Sequence, residues 1–143
     1  MYYIGIDTGV NTGVAIWDNR KRSLLQVETM KIHQAMELVK RYKEVAAANG
    51  TKLIVRVEDA RLRKWFGCNS PQKDRAKLQG AGSVKRDCSI WEDYLTDIGI
   101  EFQMVAPKNN ATKISSESFK ALTGWKKRTS EHCRDAAILV FGF

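Results

Sequence analysis

The sequence predicts an α/β domain on a mixed sheet, and three observations carry that expectation. Period-two alternation opens the chain, steps of three and four follow, and short β-branched runs then interleave with further helical patterns. The resulting order, βββαβαβαα, is that of a sheet flanked by helices. With 143 residues, 43% of them apolar, the chain suffices for one core and falls short of two. A single domain spanning residues 1–143 is expected.

Residues 2–7 set Tyr3, Gly5 and Asp7 on one face and Tyr2, Ile4 and Ile6 on the other; the turn TGVNTG then leads into the apolar run 14–17, giving a hairpin. A third strand fits 23–30. Ile32, Ala35, Met36, Val39, Tyr42 and Ala46 recur at helical spacing, with Asn49-Gly50 as the stop. LIVRV at 53–57 reads as a strand covered on both faces and ends in Glu58-Asp59. Ala81, Val84, Cys88, Trp91, Leu95 and Ile98 mark a long central helix. Gly80 and Gly82 interrupt its first half, which suggests close approach by another element or a ligand. A strand at 100–106 stops at Pro107, a short helix fits 115–122, and a last helix starts from Thr129 or Ser130 as N-cap and runs through Leu139.

Lys and Arg number 24 against 16 Asp and Glu, a net +8 that favours a polyanionic partner where it clusters. It does cluster. Arg61, Arg63, Lys64, Lys73, Arg75, Lys77, Lys85 and Arg86 face Asp74 alone within 61–86, and Lys108, Lys113, Lys120, Lys126, Lys127 and Arg128 face Glu117 alone within 108–128. Two solvated surface segments are the plain alternative to a phosphate-binding surface built from both. No apolar run approaches the roughly 20 residues of a membrane span, and MYYIGID lacks signal-peptide character, so a cytoplasmic protein without membrane contact is expected. Cys68, Cys88 and Cys133 are odd in number and widely spaced beside only two histidines, which supports neither a disulfide framework nor zinc.

If the first strand and the 53–57 strand lie side by side and parallel, Asp7 and Glu58 stand at neighbouring carboxyl ends, where open α/β sheets place their sites. Acids held so close repel unless a cation lies between them, and oxygen ligands favour magnesium or manganese. His132 and Asp135, three apart, share a helix face that could close such a site. Singly, each residue has a plainer reading: Asp7 before Thr8-Gly9 as an Asx turn, Glu58 as a solvated strand end, the helical acids as dipole partners.

The blocks IGIDTGVNTGVAIW (4–17), VRVED (55–59), AKLQGAGSVK (76–85), MVAPKNNATKISSESFKALTG (104–124) and EHCRDAAIL (131–139) together resemble the RuvC-like Holliday junction resolvases of the ribonuclease H (retroviral integrase) superfamily, in the compact form that bacteria and their phages carry. The resemblance implies a ribonuclease H-like fold: a five-stranded mixed sheet, with a three-stranded antiparallel meander plus parallel strands, flanked by helices. It implies that Asp7, Glu58 and Asp135 are catalytic metal-binding carboxylates and that His132 fills a fourth position, aspartate in some relatives and histidine in others. Glu131 and Asp59 rank second. It also implies a basic residue near the scissile phosphate within 108–120, with Lys113 ahead of Lys120.

The implied activity is junction resolution by paired symmetric nicks with 5′-phosphate and 3′-hydroxyl ends. Two Mg²⁺ ions, for which Mn²⁺ substitutes, would lie roughly 3.5–4 Å apart on the scissile phosphate. The partner is branched DNA, above all the four-way junction, whose two-fold symmetry calls for a homodimer, with the central helix as its expected surface. Arg61, Arg63, Lys64, Arg75, Lys77, Lys85, Arg86, Lys108, Lys120, Lys126, Lys127 and Arg128 are the expected DNA contacts. Trp65 and Phe66, set among them, would stack on unpaired bases, or else plug the loop from beneath. Two rivals stand beside this reading: a member of the same fold that binds branched DNA without cutting it, and an aspartic protease suggested by Asp7-Thr8-Gly9.

Overall fold

Alternation in the opening residues produces β1 (Tyr2–Asp7) and β2 (Thr12–Asp18), joined by a turn that the Thr12 hydroxyl closes by donating to the Gly9 carbonyl at 2.9 Å. The computed structural model describes residues 1–62, 74–107 and 113–143, with 74–81 described by backbone alone. β3 (Ser23–Met30) adds antiparallel to β2, β4 (Leu53–Glu58) adds parallel to β1, and β5 (Glu101–Val105) adds parallel to β4. The five-stranded mixed sheet therefore runs β3-β2-β1-β4-β5. β1 and β4, far apart in sequence, are central neighbours.

Helices cover both faces. Ile4, Ile6, Val14, Ile16, Val55 and Val57 point to one side, against Ala35, Leu38 and Val39 of α1 (Ile32–Ala48) and Trp91 and Leu95 of α2 (Asp74–Asp97). Ala15, Trp17 and Val27 point to the other, against Phe119 of α3 (Ser116–Thr123) and Cys133, Ala136 and Ala137 of α4 (Glu131–Ile138). Burying these side chains contributes roughly 1.5–3 kcal/mol for each large aliphatic one, so the two clusters fix the helices on the sheet.

The ends of the elements follow local chemistry. α1 stops at Asn49-Gly50, with Gly50 at φ 58°. Ser115 and Ser130 cap α3 and α4 by accepting from the backbone N–H groups of Ser118 and Cys133, at 3.1 and 3.3 Å. Ser130, rather than Thr129, is the start of the last helix. Gly124 closes α3 in the left-handed region at φ 71°.

One expectation about α2 changes, at Gly82. Among the described residues nothing lies within 4 Å of the position a Cβ would take at Gly82, so none of them packs closely there. The stripe residues Cys88, Trp91 and Leu95 are fully buried within this chain. Cys88 and Cys133 are free, buried thiols, and Cys68 lies outside the described residues. No helix among the described residues is long and apolar enough to cross a membrane.

Candidate functional site

The register of β1 on β4 places Asp7 opposite Glu58. Register partners in a parallel pair project to the same face, about 4.8 Å apart, so these two acids stand side by side at the carboxyl ends of the two central strands. The same alternation puts Tyr3 and Arg56 on the α4 side, where both meet Phe143, the guanidinium lying 4.2 Å from the ring centroid. Thr8 ties the two strand ends together, its hydroxyl donating to the Glu58 carbonyl at 3.4 Å and lying 3.5 Å from Cys88 Sγ.

The third acid arrives on α4, which packs on β1 and β2. It can do so because the strands carry glycines beneath it: a Cβ at Gly5 would overlap the Ala136 carbonyl oxygen, and one at Gly13 the His132 carbonyl oxygen. With the helix pressed onto the sheet, His132 Nδ1 reaches Asp7 Oδ2 at 2.9 Å. Asp135, one turn further along, pairs with Lys113 at 3.0 Å, and Lys113 also contacts Glu131. Side-chain exposure rises from 13% at Asp7 and 21% at Asp135 to 46% at His132 and 54% at Lys113. A half-buried floor thus opens into a solvated rim, a shape accessible to a large substrate.

Electrostatics separates these groups. Burial pushes the Asp7 carboxyl above the ordinary carboxylate value, with Asp135's charge adding to the rise and His132 and Lys113 opposing it. Glu131, then Asp135, hold the Lys113 ammonium protonated well beyond its usual range. Lys113 in turn draws the exposed Glu131 below the usual carboxylate value.

Three carboxylates and one imidazole are donors suited to a hard divalent cation such as Mg²⁺ or Mn²⁺, and the charge that burial penalises at Asp7 is what such an ion relieves. Among the described residues no three His, Cys, Asp or Glu side chains already close on one point. Asp7 is turned to His132 and Asp135 to Lys113, so closing on an ion requires those side chains to turn.

Asp59 drops out as a substitute ligand. It is buried, and Arg61 grips it through the guanidinium at 2.7–3.0 Å and through the backbone N–H at 2.9 Å. Arg61 itself is exposed and already paired: its remaining bonds go to Ser89 and Glu92 on α2, at 3.1 and 2.6 Å. Glu131 stays at the rim as Lys113's partner.

Lys85 and Arg86 are exposed on α2, within one turn of Cys88 and so at the same sheet edge as Thr8 and Glu58. Lys120, Lys126, Lys127 and Arg128 are exposed along α3 and the segment leading to α4. Arg63, Lys64, Trp65, Phe66 and Lys108 lie outside the described residues, as do the side chains of Arg75 and Lys77. A groove of about 1000 Å³ between β3 and α1, lined by Glu28, Met30, His33, Glu37 and Arg41 among others, takes in none of Asp7, Glu58 and Asp135.

Gly5, Thr8 and Gly13 are the contributors the sequence reading passes over, although two glycines inside strand patterns are a signal of close backbone approach. No protein-family model matches this chain, and no curated protein matches it.

Proposed function

We propose that this chain is a Mg²⁺-dependent, structure-specific DNA endonuclease with a ribonuclease H-like fold, resolving four-way junctions by paired nicks that leave 5′-phosphate and 3′-hydroxyl ends. The observation that carries the reading is the gathering of Asp7, Glu58 and Asp135, from three separate parts of the chain, at one end of the sheet with His132 beside them.

In this reading Asp7 and Glu58 form a floor fixed by the β1–β4 ladder, Asp135 and His132 close it from α4, and these four side chains hold the ions. When bound, the divalent cations polarise the phosphodiester and lower the pKa of an attacking water. Lys113, at the rim, offers its ammonium to a phosphate oxygen next to the one being cleaved. Lys85 and Arg86 on one side and Lys120, Lys126, Lys127 and Arg128 on the other hold the flanking backbone. Trp65 and Phe66 are assigned to stacking on the unpaired bases of the crossover. A two-fold homodimer would set two such sites on opposing strands.

The protease rival needs an all-β body, whereas Asp7 here ends a strand of a mixed sheet flanked by helices. The non-cutting rival is addressed by substitution. Asp7→Asn, Glu58→Gln and Asp135→Asn are each expected to bind a four-way junction within a few-fold of wild type while nicking falls by at least about a thousandfold. Normal cutting by Asp7→Asn refutes the assignment.

A further inference from the structure

We propose that Lys113 and the divalent cation compete for Asp135, so that the lysine is a displaceable plug setting the cation affinity of the site. The inference deepens the nuclease reading and rests on it for the identity of the site, but its test reads metal binding without DNA.

Glu131 and Asp135 are four apart on α4, and the Lys113 ammonium bridges them, 3.0 Å from Asp135 Oδ2. A carboxylate oxygen that donates to a magnesium-sized ion does so at about 2.0–2.1 Å. An ammonium already seated on that oxygen takes up the approach and repels a second positive charge. Its field extends to Asp7 as well, whose carboxyl senses both Lys113 and Asp135. Lys113 and the ion therefore draw on the same negative charge, and one must leave for the other to settle.

The lysine is built to leave. It is half exposed, on a four-carbon stem, and it has a second partner in Glu131, which faces solvent and can retain it when Asp135 turns to the ion. The arrangement also explains how Asp135 can lie near Asp7 before any cation arrives: the ammonium offsets a repulsion that would otherwise push the two carboxylates apart.

The test is a titration of Mn²⁺ into the full DNA-free chain, with free Mn²⁺ read by electron paramagnetic resonance. Relative to wild type, Lys113→Met is expected to bind about tenfold more tightly, because a repelling charge and a competing donor are gone. Lys113→Arg, which keeps the charge, is expected near wild type, as is Lys40→Met on the exposed surface of α1. The gain is expected to vanish in the double variant Lys113→Met/Asp135→Asn. Near-ultraviolet circular dichroism of each variant checks that the fold is intact.

Equal or weaker Mn²⁺ binding by a folded Lys113→Met overturns the competition while leaving the nuclease reading standing. No Mn²⁺ binding by wild type or by a folded Lys113→Met overturns both. Tighter binding by Lys113→Met in a protein that cuts no junction upholds the competition and removes the nuclease.

Discussion

Adjacent acids can take opposite tasks, and Glu58 and Asp59 do. Glu58 ends β4 beside Asp7, whereas Asp59 is buried one residue on and consumed by Arg61, which carries the contact across to Glu92 and Ser89 of α2. Arg61 holds the Asp59 carboxyl below its ordinary value of 3.8. An acid with a depressed folded pKa contributes stability that is complete above its unfolded value and lost as pH falls through the folded one. Asp59→Asn is therefore expected to cost about 1–3 kcal/mol in urea unfolding near neutrality, with a deficit constant between about pH 5 and 8 and narrowing below about pH 4. A deficit that widens on acidification contradicts this account. A charge count could not assign Arg61. It finds eight cations within residues 61–86 but cannot tell that one of them already neutralises a buried acid two positions earlier.

At the scale of elements, the seating of α4 decides whether the site exists. Gly13→Ala sets a methyl group against the His132 carbonyl, and relieving that overlap means lifting the helix that carries His132 and Asp135. The expected cost is about 2–3 kcal/mol of stability, together with weaker Mn²⁺ binding. Gly82→Ala makes the opposite case: no described residue stands within 4 Å of the added methyl group inside a helix, so alanine is expected to stabilise by about 0.5–1 kcal/mol in thermal or urea unfolding. Finding both substitutions neutral would remove the argument from packing. The elements themselves were largely legible in the sequence. The three-and-four spacing of α1, the Ser130 cap and the alternation of β1 each arise from interactions within a few residues. The clearance at Gly5 and Gly13 was not, because it depends on where a helix more than a hundred residues later comes to rest. The pairing of Asp7 with Glu58 lay between these cases: alternation set the face, and only the parallel ladder set the partner.

Across the whole molecule, the +8 net charge includes exposed cations on α2, on α3 and in the segment before α4. A surface that works by neutralising phosphates has a salt dependence, each contact contributing about 0.9 to the log–log slope. Replacing Lys126, Lys127 and Arg128 by alanine is expected to flatten that slope for junction binding by about 2–3 while leaving the melting temperature nearly unchanged. An unaltered slope would place the DNA elsewhere. The central claim is that the gathered acids act, through divalent cations, on the phosphodiester of a branched DNA. It is tested most directly by incubating a synthetic four-way junction and a linear duplex of matched sequence with the protein, in Mg²⁺ or in EDTA, and resolving the strands on a denaturing gel. Symmetric nicks on opposing strands of the junction in Mg²⁺, absent in EDTA and from the duplex, are the expected result; cutting that survives EDTA, or an intact junction in both Mg²⁺ and Mn²⁺, contradicts it.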